Sequence, residues 1–483
     1  MKMGAARPTY FSAVRVSEAD LRLVPRVRRR VWPGFPVAPG IVAVGSCGCP
    51  TSTQSRISFW GTLPDRRQEA LMLAIKHPRC AGLDVHKRQV TACRVTPGPD
   101  HQLQAEVRTF GTMTRDLLAL SDWLTAGGCT HVVLESTGVY WKPVYNLLEG
   151  SFTLLLVNPE HVKALTGRKT DVQDAERLAY LLARDELVGS FVPEREQREL
   201  RELTRYRTAL VQERSAEVNR LQKTLEGANL KLASVASDVQ GKSAQAILAA
   251  LAAGETDPEV LAEHAQGRLR EKLPELREAL RGGVGDHQRF LLTQQLTHLA
   301  ELTERIGEVS REVAQRLAPF EEQLQRLEQQ PGVGRRTAEV LIAELGTDMS
   351  RFPTHRQCAA WAGMCPGQKE SAGKRKRCPL RKGSPWLRTA LVEAARAAAR
   401  TKETYLGAQY QRLARRRGAN RAAVAVGHSL LVSSYYLLKG EPEYVELGRH
   451  YFDERDREQI VRQNVKRLRQ LGYEVELREG GTA

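Results

Sequence analysis

An aspartate stands inside what reads as the first strand of the folded part of this chain. In CAGLDV, Asp84 directly follows the apolar Ala81-Gly82-Leu83. Burying a carboxylate there without a partner is costly, so the fold must bring something to it. The surrounding pattern limits what that fold can be. CAGLDVHKRQVTACRV reads as a strand and the start of its hairpin partner, and EVRTFGT as a further strand. RDLLALSDWLTAGG follows as a helix and HVVLE as a short buried strand. Then come a helix around VYWKPVYNLLEG, a strand FTLLLVN and an amphipathic helix in DVQDAERLAYLLARDEL. Strands first in a meander, then alternating with helices, fit a mixed sheet covered by helices.

Three further acids fall at element ends of this region. Glu135 closes HVVLE before Ser136-Thr137-Gly138, and Asp171 and Asp174 are three apart at a helix start, projecting from one face. Singly, Asp171 reads better as a cap or complement to its helix N-terminus, and Asp174 reads as a solvated face residue. Together, one acid in a strand, one at a strand end and two on one helical turn can converge. Four clustered carboxylates cannot all stay ionised without cations, which implies divalent metal. Two Mg²⁺ ions roughly 4 Å apart would clamp the attacking and leaving oxygens of a phosphodiester. His86 lies close to Asp84 in sequence but stands alone and is not assigned as a ligand. Tyr140 and Trp141 could stack on a base, although packing is the simpler use.

Charge points to the partner. Between Arg351 and Gly440 there are nineteen Lys and Arg against three acids, and in the first sixty residues nine against two. A basic excess concentrated in one stretch is the footprint of a polyanion, nucleic acid being the commonest. PGVGRRTAEVLIAELG adds a turn of the helix-hairpin-helix kind. Pro331, Gly332 and Gly334 allow a tight turn, with Arg335, Arg336 and Thr337 at the following helix N-terminus, an arrangement that grips DNA phosphate without reading sequence. Its bland counterpart is a Gly-rich turn between two helices.

No apolar run is long enough for a membrane span. The eight cysteines show no C-x-x-C spacing, and a reduced cytoplasmic protein is the simplest reading. Five pieces are expected. Residues 1–77 lack periodicity and read as disordered, with Met72 an alternative start, and 78–192 form the α/β domain. Residues 193–329 form an antiparallel coiled-coil hairpin, a spacer or dimer contact, with a helical insert near 240–282. Residues 330–440 form the basic all-α domain and 441–483 a charged tail with one short helix.

GLDVHK, VVLESTGVYWKPVYNLLE, LLLVNPEHVKALTGRKTDVQDAERLAYLL and PGVGRRTAEVLIAELG occur in the order found in the DEDD transposases of the insertion-sequence 110 family, which the chain resembles over residues 78–430. The resemblance implies a ribonuclease-H-like (RuvC-like) domain whose tetrad would be Asp84, Glu135, Asp171 and Asp174. It also implies a C-terminal domain with a catalytic serine, and a bridge RNA encoded by the element. The extension before residue 78 and the insert near 240–282 depart from the family pattern. In GMCPGQKESAGKRKRCPLRKGSPWLR, Ala360, Gly363 and Pro366 match the family's A-x-x-G-x-x-P stretch. Ser371 matches the serine by position, although Ala372 separates it from Gly373; Ser384 is the rival. Lys374, Arg375, Lys376 and Arg377, then Arg381 and Lys382, follow the serine, and Arg168 and Lys169 precede Asp171. All are candidates for phosphate contacts. The expected activity is metal-dependent DNA recombination through a serine, guided by RNA, in a homodimer or homotetramer. The alternatives are a RuvC-like structure-selective endonuclease and a non-enzymatic nucleic-acid-binding protein.

Overall fold

A computed structural model describes residues 75–98, 103–136, 138–158, 171–367, 370–371, 374–375 and 378–477, without the side chains of 171, 172, 370, 371, 374 and 375. The expectations for residues 1–74, and for Arg168, Lys169, Lys376 and Arg377, lie outside the described residues. The chain forms two compact units that meet in sequence between Pro193 and Glu194.

The first unit is built on a five-stranded sheet. Its strands are β1 (Cys80–Val85), β2 (Gln89–Pro97), β3 (Leu103–Gly111), β4 (His131–Glu135) and β5 (Thr153–Val157), in the order β3-β2-β1-β4-β5. The first three pair antiparallel, while β4 and β5 join parallel to β1 and to each other. This is the mixed sheet the pattern suggests. Helices α1 (Thr114–Ala126) and α2 (Trp141–Leu148) follow β3 and β4. Their apolar stripes, with Leu117, Leu120 and Leu148, meet Leu83, Val85 and Leu134 in one core. Helix α3 (Asp171–Ala183) meets Cys80, Cys93, Val133 and Val157 in a second core through Ala175, Leu178 and Ala179. Alternate strand residues therefore serve two cores, as the two-residue period of a strand requires.

The second unit begins with two long antiparallel helices, α4 (Arg195–Gly227) and α5 (Asp286–Leu317). Leu210 packs with Leu302 and Ile306 midway along, while Leu221 and Leu225 meet Leu292 at one end. A charged residue, Glu217, is also buried along α4, paired with Arg220 at 2.5 Å. The segment between the helices is no loose insert. Its short helices pack onto that end of the hairpin, with Ile247, Leu251, Leu261 and Leu276 in the same core as Leu221, Leu225 and Leu292.

At the other end α4 docks on an all-helical body. This holds α6 (Glu321–Glu328), α7 (Arg335–Leu345), α8 (His355–Trp361), α9 (Pro385–Ala398), α10 (Tyr405–Arg417), α11 (Ala419–Lys439) and α12 (Arg457–Gln470). The central helix α11 is buried along Val426, Leu430, Leu431 and Tyr435 against Leu341, Leu387 and Leu391. No helix among the described residues is long and apolar enough to cross a membrane.

Candidate active site

Register fixes where two of the four acids stand. In the parallel β1–β4 pair, Leu83 lies beside Leu134, so Asp84 and Glu135 are the next residues of adjacent strands, which run about 4.8 Å apart. Both share a face with residues of the α3 core, Asp84 with Cys80 and Glu135 with Val133. Asp84 is buried, and Glu135 half-buried.

Gly82 brings the helix onto that face. A Cβ there would stand 2.4 Å from the Ala175 carbonyl oxygen and 2.5 Å from the Ala179 nitrogen, so only glycine lets α3 approach this closely. The helix runs against β1. The Cys80 thiol donates to the Ala179 carbonyl at 3.4 Å, and the Lys76 N–H to that of Ala183 at 2.8 Å. The first turn, with Asp171 and Asp174, therefore points toward the Asp84 end. Four residues of helix and two of strand each advance about 6 Å, which brings that turn level with Asp84. Asp174 is half-buried; the side chain of Asp171 is outside the described ones.

His86 does not stand alone. Its Nε2 lies 3.2 Å from Asp84 Oδ2, across the tight turn in which the His86 N–H donates to the Gln89 carbonyl. The local sequence held a signal for this, since i and i+2 at a strand end share a face. Trp141 packs edge-on against Tyr145 with ring centroids 5.5 Å apart, the structural use of that side chain, and Tyr140 is exposed. Burial pushes the Cys80 and Cys93 thiols up to about 12, which makes them inert core groups rather than nucleophiles.

Among the described residues no three metal-ligating side chains gather into a cage. The donor set of the tetrad nevertheless suits a hard divalent cation, being all carboxylate oxygen.

In the second unit, Ser371 belongs to a two-residue strand, β6 (Glu370–Ser371), paired antiparallel with β7 (Lys374–Arg375). This hairpin extends a stem in which the Gly367 N–H donates to the Pro379 carbonyl at 2.9 Å and the Arg381 N–H to that of Cys365 at 3.1 Å. At the stem's base a Cβ on Gly383 would stand 2.3 Å from the Gly363 nitrogen, so the two glycines let the strands touch. Ser384, the rival serine, has a structural task. Its Oγ caps α9, accepting from the Leu387 N–H at 3.3 Å, and donates to Glu344 Oε2 at 3.1 Å. Glu344 is buried and also accepts from Arg205 Nε at 2.7 Å and Nη2 at 2.9 Å. Arg201 donates to the backbone carbonyls of Ala343 and Glu344; burial lowers its pKa to about 10 against the opposing pull of the Glu344 carboxylate.

The Pro331–Gly334 turn divides its candidates. Gly332 has φ +84° and packs on α9, where a Cβ would stand 2.3 Å from the Ala394 carbonyl oxygen. Arg335 gives its guanidinium to Glu321 at 2.8 and 2.5 Å. These two serve the protein's own packing, because a carboxylate fourteen residues upstream neutralises the arginine. Gly334 and Arg336 remain exposed, as do Arg381 and Lys382.

A mixed sheet with carboxylates at its strand ends in one unit, and a basic helical body in the other, are the equipment of a phosphodiester-processing enzyme, and comparison specifies it. A DEDD transposase family of the insertion-sequence 110 type matches residues 81–230, and the family described as "Transposase IS116/IS110/IS902 family" matches residues 324–411. The transposase for insertion sequence element IS1111A of Coxiella burnetii is 28% identical over 327 residues, 66% of this chain and 79% of that protein. A probable family 20 transposase of Pseudomonas aeruginosa is 28% identical over 320 residues, 65% and 85% of the two chains. The transposase for element IS1328 of Yersinia enterocolitica is 37% identical over 107 residues, 22% and 31%. The chain belongs to the IS110 family of transposases, and it is a DNA transposase. DNA is therefore its partner, and a divalent metal the cofactor its DEDD class uses.

Proposed function

We propose that this transposase cuts and rejoins DNA strands with Ser371 as nucleophile. Asp84, Glu135, Asp171 and Asp174 hold two Mg²⁺ ions, a guide RNA encoded by the element selects the sites, and the chain works as a homodimer or homotetramer. The observation that carries the reading is the adjacency of Asp84 and Glu135 on neighbouring parallel strands, under the first turn of the helix that bears Asp171 and Asp174. The positive end of that helix faces the carboxylates and eases their mutual repulsion. Bound metal would supply charge for the phosphoryl oxygens and the leaving oxygen.

The residues' own tasks follow from the chemistry. Ser371 Oγ forms a bond to phosphorus, the P–O bond to one strand breaks, and the departing oxygen takes up a proton while the serine loses one. The reverse attack, by a hydroxyl of the second DNA, releases the serine and completes the joining. Lys374 and Arg375, on the facing strand of the same hairpin, hold the phosphate backbone beside it. His86 orients Asp84 through the 3.2 Å contact.

The test is a search for a covalent intermediate. Incubated with Mg²⁺, element-end DNA and the element's non-coding RNA, the wild type should give an SDS-resistant protein–DNA adduct that Ser371→Ala lacks. Cleavage without any adduct would instead identify a metal-activated water and a RuvC-like hydrolytic nuclease. Adduct formation undiminished without the RNA would remove the guide from the reading.

A further inference from the structure

The positive charge of the helical body is not all available to a partner, and sorting it locates a surface that none of the sequence motifs includes. Arg335 is spent on Glu321, Arg412 on Asp456 at 3.0 Å, and Arg351 on Glu194 at 3.2 Å. Arg400, Lys402 and Arg415 are different: all three are exposed, and no carboxylate pairs with them among the described residues. They line one cleft of about 590 Å³.

The shape of this cleft follows from one helix face. Thr404, Gly407, Ala408, Gln411 and Arg415 lie along α10 at intervals of three and four residues, and together they form its floor. One wall is the turn 399–403 and the other the segment from Arg449 to Asp453. Gly407 lets the turn close onto the helix start, since a Cβ there would stand 2.8 Å from the Thr401 carbonyl oxygen. Cations stand at both ends, Arg400 and Lys402 by the helix start and Arg415 in its last turn. Of the acids that line the cleft, Glu403 is already tied to Arg449 at 2.6 Å, which leaves Asp453 as the opposing charge.

Distance selects the ligand. Arg415 lies eleven residues beyond the capping Thr404, roughly 16 Å along the helix axis. A single phosphate cannot reach both ends. A nucleic-acid strand can, because its phosphates repeat about every 3.4 Å along the axis. The helix N-terminus itself is not the anchor, since Glu446 already accepts the Tyr405 N–H at 2.7 Å.

We propose that the cleft over α10 grips the sugar–phosphate backbone of duplex DNA, as a binding surface separate from the strand-transfer residues. The proposal uses the protein's DNA partnership and is independent of the role of Ser371. It is tested by binding alone. Full-length protein is titrated into a fluorescent duplex of arbitrary sequence across a range of KCl concentrations. The triple variant Arg400→Gln/Lys402→Gln/Arg415→Gln should bind about tenfold or more weakly. Its slope of log affinity against log salt should fall by about 2 to 3, near one for each phosphate no longer neutralised. A second triple variant, Lys242→Gln/Arg268→Gln/Arg311→Gln, removes equal charge from the helical hairpin and its insert and should keep wild-type affinity. Equal loss in both variants would reduce the effect to net charge and overturn the proposal, as would unchanged binding by the cleft variant. Loss confined to an RNA duplex probe would overturn DNA as the occupant. If the triple variant melts early, Arg400→Gln and Arg415→Gln singly should each lower the slope by about one, and failure of both overturns the proposal.

Discussion

Gly82 and Ala175 meet backbone to backbone, so that a Cβ on residue 82 would stand 2.4 Å from the Ala175 carbonyl oxygen. This contact sets how close α3, and with it Asp171 and Asp174, comes to the strand of Asp84. A side chain at residue 82 must push the helix away from the sheet. Gly82→Val should therefore cost at least about 1–3 kcal/mol, the range for overpacked cores. It should also abolish strand cleavage while leaving duplex binding by the helical body in place. Thermal melting and a cleavage assay on one preparation check both halves, and a fully active Gly82→Val would show that the approach is not needed.

The tetrad itself makes a sharper demand. Changing any one of Asp84, Glu135, Asp171 or Asp174 to its amide or to alanine should eliminate recombination without unfolding the protein, if each acid serves as the ligand proposed above rather than as a core-filling group. Circular dichroism should be near wild type, and the amide variants, which keep the shape of each side chain, should melt near it. Wild-type activity that persists in EDTA would rule out the metal role.

The two serines should separate cleanly. Ser384→Ala removes the cap of α9 and one partner of Glu344, and should lower stability by about 1 kcal/mol while the covalent adduct still forms. Glu344→Gln reaches deeper, because it strips the charge that Arg205 and the buried Arg201 face. A loss of about 3–5 kcal/mol is expected, as for a broken buried ion pair. Denaturant melts give these numbers. An adduct lost on Ser384→Ala but kept on Ser371→Ala would exchange the roles assigned to the two.

The long helices suggest a mixing experiment. Helix α4 has 33 residues, roughly 50 Å of reach. An arm of that length can carry one subunit's serine to another subunit's carboxylates. Asp174→Asn and Ser371→Ala, each inactive alone, should then regain partial activity when mixed under conditions that permit subunit exchange with nucleic acid present. Demonstrated exchange with no recovered activity would place both groups of a working site on one chain.

Much of this was legible in order along the chain. The short apolar runs CAGLDV and HVVLE, and the helical spacing of Ala175, Leu178 and Leu182, specify the strands and the helix because each pattern is local. The same local reading put Asp84 in a strand and Asp171 and Asp174 on one helical turn, and the motif order gave the family. What it could not show depends on partners far away in sequence. The parallel register that sets Asp84 beside Glu135 joins residues about fifty positions apart, and the face of β1 that receives α3 is decided by the packing of Gly82 on Ala175. Arg335 read as a free cation until Glu321 stood against it, and Ser384 as a possible nucleophile until Glu344 and the start of α9 claimed its hydroxyl. Residue type and spacing determine which groups are available. Only tertiary packing decides which of them are neutralised by a neighbour and which are left facing a ligand, because that depends on distances between segments with no shared period.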